Sequence, residues 1–158
     1  MRELILLRHA HAEPAAPGQD DFDRPLSLQG QAEAEAAGRW LRDHGYLPDR
    51  IVTSPARRAR ETTEQALAAL GHVEMRQEPR IYDATPGMLM QVADEHRELS
   101  RVLLVGHNPG FEQLAALLSS GQSGDFRGMP AGGVAVLSMP ADADLEPGIA
   151  RLAAFWWP

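Results

Sequence analysis

Apolar residues gather into two unbroken runs, Leu4-Ile5-Leu6-Leu7 and Val102-Leu103-Leu104-Val105, with no polar alternation inside either. A strand with one wet face alternates apolar and polar positions, so runs of this kind predict strands covered on both faces, as in a parallel sheet. Ile51-Val52-Thr53, ending at Ser54-Pro55, predicts a third strand and Val73 to Gln77 a fourth. Val134 to Ser138 and Ala150 to Trp156 read as two late strands at a sheet edge. Between the strands the pattern turns helical. Ser27 is a suitable N-cap for a helix from Leu28 to His44, rich in alanine and closed by Gly45. Further helices are predicted over Ala56 to Leu70, Pro86 to Leu99 and Phe111 to Ser119. Glu13 to Pro25 and Gly121 to Gly132 carry the Gly, Pro and polar residues of loops. Alternation of strand and helix predicts one α/β domain over residues 1–158, a three-layer sandwich with a mostly parallel central sheet flanked by helices.

Composition narrows the function. The chain has 158 residues, 44% hydrophobic and 23% charged, which suits one domain with a substantial core. A net charge of -7 argues against non-specific nucleic-acid binding. It leaves room for an anionic substrate, because a local cluster of arginines can reverse the field inside a cleft. Cysteine is absent, which removes disulfides, thiolate metal sites and cysteine nucleophiles together. The first apolar run is too short for a signal-peptide core, and no stretch is long and apolar enough to span a bilayer. The expectation is a soluble cytoplasmic protein with neither a nucleic acid nor a membrane as partner.

The candidate chemistry lies where the strands stop. Two predicted buried strands run into a histidine, as Leu7-Arg8-His9-Ala10 and Val105-Gly106-His107-Asn108. Ligands of open α/β sheets bind beyond the carboxyl ends of the strands, so both imidazoles are expected in one cleft. The third strand leads into Arg57-Arg58, which brings guanidinium groups to the same edge. Crowded like charges are unfavourable unless an anion sits among them. Arginine presents a planar fork of donors that matches phosphate oxygens. A neutral imidazole is a competent nucleophile, neighbouring arginines disfavour its protonation, and phosphoryl transfer mostly requires positioning and charge stabilisation.

These segments resemble motifs of the histidine phosphatase superfamily. Leu7-Arg8-His9-Ala10 is similar to its RHG motif, in the RHA form. Thr53-Ser54-Pro55 with Arg58 and Thr62 resembles the second motif, and Val105 to Pro109 the third. Asp23-Arg24-Pro25-Leu26-Ser27 through Gly30 resembles a segment of the short SixA-like branch, the phosphohistidine phosphatases. The resemblance implies a phosphoglycerate mutase-like fold in which His9 takes the phosphoryl group and passes it to water. It implies that Arg8 and Arg58 hold the phosphate oxygens, that His107 hydrogen-bonds them from another side, and that Arg24 lies near the mouth. Asn108 stands where the acid-phosphatase branch carries an aspartate, and is assigned to phosphate contact instead. Asp83 stands roughly where the mutase-like branch places a glutamate, and is the candidate general acid. No metal or organic cofactor is implied.

Other readings stay open at this level. His9-Ala10-His11 with His107 could be taken for a metal site, yet Glu13 is the only acid beside it and the arginines would repel a cation. Gly106 to Gly110 lacks both glycine-rich nucleotide patterns. His44, His72 and His96 receive no role, and Trp156-Trp157 is read as packing. A weak general acid favours an easily protonated phosphorus–nitrogen bond, hence phosphohistidine on a protein. The alternatives are a small phosphorylated metabolite as substrate, or a module that binds phosphorylated partners without turnover. A mutase would need a second basic cluster, and none is evident.

Overall fold

The computed structural model describes all residues 1–158. Six strands form one sheet: β1 (Arg2–Arg8), β2 (Arg50–Thr53), β3 (Glu74–Gln77), β4 (Arg101–Gly106), β5 (Val134–Met139) and β6 (Arg151–Trp156). Their order is β3-β2-β4-β1-β5-β6. The pairs β3–β2, β2–β4 and β4–β1 are parallel, while β5 runs antiparallel to both β1 and β6. Only β5 is reversed, so the sheet is mostly parallel. Four helices, α1 (Leu28–Asp43), α2 (Arg57–Leu70), α3 (Pro86–Asp94) and α4 (Gly110–Ser120), connect and cover it.

Side chains alternate across a strand, and here both faces are covered. Ile5, Leu7, Ile51, Leu103 and Val105 pack with Ala37 and Leu41 of α1 and Ala59 and Ala66 of α2. Leu4, Leu6, Val52, Val102 and Leu104 pack with Leu89 and Val92 of α3 and Phe111 and Leu114 of α4. Two apolar faces are the physical reason for the unbroken runs in β1 and β4. The helices of one layer lie close together: a Cβ on Gly38 of α1 would stand 2.4 Å from the carbonyl oxygen of Ala66 in α2. Ser27 caps α1 by accepting from the Gly30 amide at 3.0 Å.

Three expectations change in detail. The helix expected to reach Leu99 ends at Asp94. Beyond it the chain tightens into turns, with amides of His96, Arg97 and Leu99 bonding carbonyls three residues back. Tertiary partners drive this: His96 is buried, with Nδ1 2.9 Å from Arg50 Nη1, and Arg97 bonds Asp144 at 2.8 Å. Of the two late strands only β6 lies at an edge; β5 is buried along its whole length between β1 and β6. The loop between β1 and α1 contains a 3₁₀ turn, Asp21–Asp23, and is pinched shut by a bridge between Ala12 and Leu26. Trp156 stacks on Trp40 of α1 at 5.6 Å, while Trp157 is exposed. No helix is long and apolar enough to cross a membrane.

Candidate active site

Strand register assembles the site. Arg8 lies opposite Gly106 across the β1–β4 pair, so the next residues, His9 and His107, leave the same sheet end side by side. Their ring centroids are 5.2 Å apart. On the other side of β4, Thr53 pairs with Val105, and Ser54 comes next with Oγ 2.8 Å from His107 Nε2. Gly106 is required for this convergence: a Cβ there would meet Ile81 Cγ2 at 2.6 Å and Phe111 Cζ at 2.7 Å. Thr62 of α2 ties the loop after β1 to the helix layer. Its Oγ1 accepts from the Ala10 amide at 3.0 Å and donates to the Arg58 carbonyl at 2.7 Å.

The tautomer of His9 is set by its partner. Nδ1 is 2.8 Å from the Ala10 carbonyl oxygen. A carbonyl only accepts, so Nδ1 carries the proton and Nε2 keeps its lone pair. Burial pushes the His9 pKa down to about 3, helped by His107, Arg58 and Arg8. Burial likewise lowers His107 to about 4, with Arg58 contributing. Both rings are neutral near pH 7, and a neutral imidazole with a free Nε2 is what nucleophilic attack on phosphorus requires.

The two arginines are held in the same manner. Arg8 donates from Nη1 to the Met129 carbonyl at 2.8 Å, and Arg58 from Nη1 to the Asp21 carbonyl at 2.7 Å. In both, Nε is buried without a protein partner, as is Nδ1 of His107. Arg8 makes no ion pair within 4.0 Å; Arg58 makes one, to Asp21 Oδ2 at 3.0 Å. Buried donors held by carbonyls and left partly unsatisfied suit an oxyanion. Of the α2 arginines, Arg57 is exposed and bonds Glu61, and Arg60 turns back to the Pro55 carbonyl, whereas Arg58 is buried beside the histidines.

The remaining predicted residues have other partners. Arg24 donates to Asp21 Oδ1 at 2.9 Å and to the Glu13 carbonyl at 2.8 Å. Asp83 borders a cavity of about 260 Å³ that it shares with His107, Asn108, Thr85 and Gln113. It holds φ at 58°, the only non-glycine residue with positive φ, a strained state that asparagine and aspartate tolerate best. Asn108 lines the same cavity, but its amide nitrogen donates to Glu112 and to the Met129 carbonyl, and its oxygen accepts from the Glu112 amide. His11 is exposed, with Nδ1 on Ser27 Oγ, and no group of three or more His, Asp or Glu side chains is arranged to hold a metal ion.

Asp21 and Tyr82 carried no sequence signal. Asp21 accepts from Tyr82 Oη at 2.7 Å, from Arg24 and from Arg58. Those bonds, Tyr82's first, hold its carboxyl far below the usual carboxylate range. The Tyr82 ring stands edge-on to His107 at 5.5 Å. Met129 enters through its backbone alone, which no side-chain pattern could reveal.

Comparison with known proteins agrees with this geometry. The family model of the histidine phosphatase superfamily (branch 1) matches residues 4–102. An uncharacterized protein of Mycobacterium tuberculosis is 36% identical over 159 residues, covering 94% of this chain and 98% of that relative. A solved structure from Agrobacterium tumefaciens, provisionally assigned as the phosphohistidine phosphatase SixA, superposes with a TM-score of 0.86 at 34% identity, covering 99% of this chain and 98% of that one. The protein histidine phosphatase SixA complexed with tungstate shares the fold, with a TM-score of 0.83 at 21% identity over 98% of this chain and 96% of that one. With paired strand-end histidines, carbonyl-held arginines and a family match across most of its length, the chain belongs to the histidine phosphatase superfamily, branch 1.

Proposed function

We propose that this protein removes phosphoryl groups from phosphohistidine on a protein, in two steps through His9. The observation that carries the reading is the His9 ring itself: Nδ1 is committed to the Ala10 carbonyl, so the Nε2 lone pair stands free among Arg8, Arg58 and His107. In the first step Nε2 forms a bond to phosphorus while the substrate's phosphorus–nitrogen bond breaks, and the leaving imidazole takes up a proton. In the second, water attacks phosphorus, the bond to Nε2 breaks, and inorganic phosphate departs. Arg8, Arg58 and His107 stabilise the phosphoryl oxygens in both steps.

Leaving-group chemistry favours the phosphoramidate. Asp21 is the carboxylate bound to Arg58, and it is held ionised, so it has no proton to give. Asp83, which lines the same cavity as Asn108, is the carboxyl assigned as proton donor; it is exposed and makes no hydrogen bond that would fix it. A bond that needs little acid assistance suits such a site. The likeness to the provisionally assigned SixA structure supports the same substrate class. One observation favours a second reading, a small phosphorylated metabolite: the cavity beside His107 is lined by Asp83, Thr85, Asn108 and Gln113, side chains able to bind a polar leaving group.

The test is hydrolysis of a phosphohistidine peptide and of an aryl phosphate by wild type and His9→Ala, with and without chelator. Turnover that prefers the peptide, survives chelator and vanishes in His9→Ala is expected. Full activity of His9→Ala would overturn the covalent mechanism, and preference for the ester would move the assignment to the second reading.

A further inference from the structure

Resting on the phosphatase reading, we propose that Asp21 is a positioning residue of the phosphoryl pocket, acting through Arg58. The loop between β1 and α1 sends this residue across 37 positions of sequence to meet α2. It offers Arg58 two acceptors at once, its carbonyl to Nη1 at 2.7 Å and its carboxylate to Nη2 at 3.0 Å. Two acceptors from one residue fix both the position and the plane of a guanidinium, whereas one would leave it free to pivot. Arg58 needs such a tether. A long side chain with many rotamers gives full electrostatic stabilisation only if it is ordered before the charge arrives.

The carboxylate is itself anchored from two further directions. Arg24 bonds Oδ1 and is fastened to the Glu13 carbonyl, so it bears on Arg58 through Asp21. Tyr82 bonds Oδ2 at 2.7 Å, and Phe22, next in sequence to Asp21, meets the Tyr82 ring edge-on at 5.4 Å. The Tyr82 ring in turn stands against His107. One side chain thus joins the β1–α1 loop, the first turn of α2 and the turn before α3 around the second histidine. Its charge argues for a geometric role: a carboxylate beside an arginine repels a phosphoryl group, so its presence there is useful only for the orientation it imposes. Because Asp21 is held ionised, it has no proton to donate.

Binding of inorganic phosphate and of tungstate, measured calorimetrically, tests this apart from turnover. Wild type is compared with Asp21→Ala, Asp21→Asn, Arg58→Ala and the double variant Asp21→Ala/Arg58→Ala, with thermal melts alongside. Asp21→Ala is expected to weaken oxyanion binding about tenfold while the melting temperature hardly moves. Asp21→Asn, which keeps an acceptor oxygen for Nη2, is expected to recover most of that loss. In the Arg58→Ala background the Asp21 substitution is expected to have no further effect, the non-additivity of residues that act as a unit. An equal loss in both backgrounds would overturn the proposal, and so would undiminished binding by Asp21→Ala. If wild type binds neither oxyanion, the phosphatase reading fails and this inference fails with it. Binding by wild type and Asp21→Ala alike sinks the inference alone.

Discussion

The two ends of the sheet are both rich in arginine, and they treat it differently. At the amino end Arg101 bonds Glu3 at 2.6 Å, and Arg50 reaches both Glu74 and Glu98. Arg97, in the turns after α3, pairs with Asp94 and Asp144. These three arginines each have a carboxylate partner. At the carboxyl end Arg8 has no carboxylate within ion-pair distance, and Arg58 is held by the carbonyl and carboxylate of one residue. The histidines differ as well. His9 and His107 lie together at the carboxyl end, while His96 at the other end turns Nδ1 to Arg50. A guanidinium only donates, so His96 is neutral there for a structural reason. Arg2 is the exception at the amino end, with Nη2 on the Ala143 carbonyl and Nε unsatisfied, though Asp94 and Asp144 lie near enough to offset its charge. What sets the carboxyl end apart is the combination: Arg8 and Arg58, each tethered to a backbone carbonyl, stand beside two buried histidines whose rings lie 5.2 Å apart.

Arg58 is where the two ends should differ most. Removing it should lower kcat/KM by about 10²- to 10³-fold, the scale of losing one preorganised donor to a transition-state oxygen. Its melting temperature should change little, because the ion pair to the half-exposed Asp21 adds little stability. Steady-state kinetics beside a thermal melt decide it. A large loss of stability with modest kinetic change would place Arg58 with the structural arginines.

Asp83→Asn comes next in size. If Asp83 delivers the proton, hydrolysis of an aryl or alkyl ester should fall by about 10²-fold for the poorer leaving group and by much less for a phosphoramidate. The measurement is the ratio of the two rates in the variant and in wild type. An unchanged ratio removes Asp83 from the chemistry and leaves its positive φ as a turn requirement only.

Much of this division is legible in the sequence, and the reason is register. Arg8-His9 and Gly106-His107 each terminate a buried run, and adjacent parallel strands bring their terminal residues to one edge of the sheet. Ser54 and Arg58 are legible by the same logic, since β2 lies on the far side of β4. The supporting layer is not legible. Asp21 sits in a loop whose acids look merely solvated, and its role depends on a 3₁₀ turn that aims its carboxylate at α2. Met129 acts through a carbonyl, which any residue supplies. Asn108 looks like a phosphate ligand beside His107, yet its amide is engaged by Glu112 and Met129. The end of α3 is misjudged because His96 and Arg97 are drawn away by partners distant in sequence. Periodicity finds strands and the residues that end them; it does not find hydrogen bonds between loops.

Acid should weaken both ends at once. His9 and His107 have folded pKa values of about 3 and about 4 against an ordinary 6.5, and His96 is also lowered, by burial and by Arg50. The unfolded chain therefore binds more protons across this window, and stability falls as pH falls. Full stability is expected above about pH 6.5, with progressive loss toward pH 3. Denaturant midpoints between pH 7 and pH 4 measure it. His107→Asn should flatten the dependence by removing one protonatable ring, and His96→Asn should do so by a smaller amount. A midpoint that did not move with pH in wild type would contradict the buried neutral state of the site histidines.

Arg101, at the amino end of β4, should show the least kinetic effect. Arg101→Ala removes an arginine from β4, the strand that ends in His107, and leaves the side chain's partners Glu3 and the Leu47 carbonyl at the other sheet end. Both Arg101 and Glu3 are partly exposed, so the pair should contribute at most about 1 kcal/mol. The candidate site residues lie at the opposite end of a strand whose backbone bonds to β1 and β2 do not involve that side chain. kcat/KM should therefore stay within roughly twofold of wild type, since sites this far apart with no shared partners act independently. A stability loss without a kinetic one would set Arg101 opposite Arg58, where the reverse is expected. A kinetic loss in Arg101→Ala would mean that the field of the amino end reaches the histidines through the sheet, and that pairing with carboxylates does not insulate one end from the other.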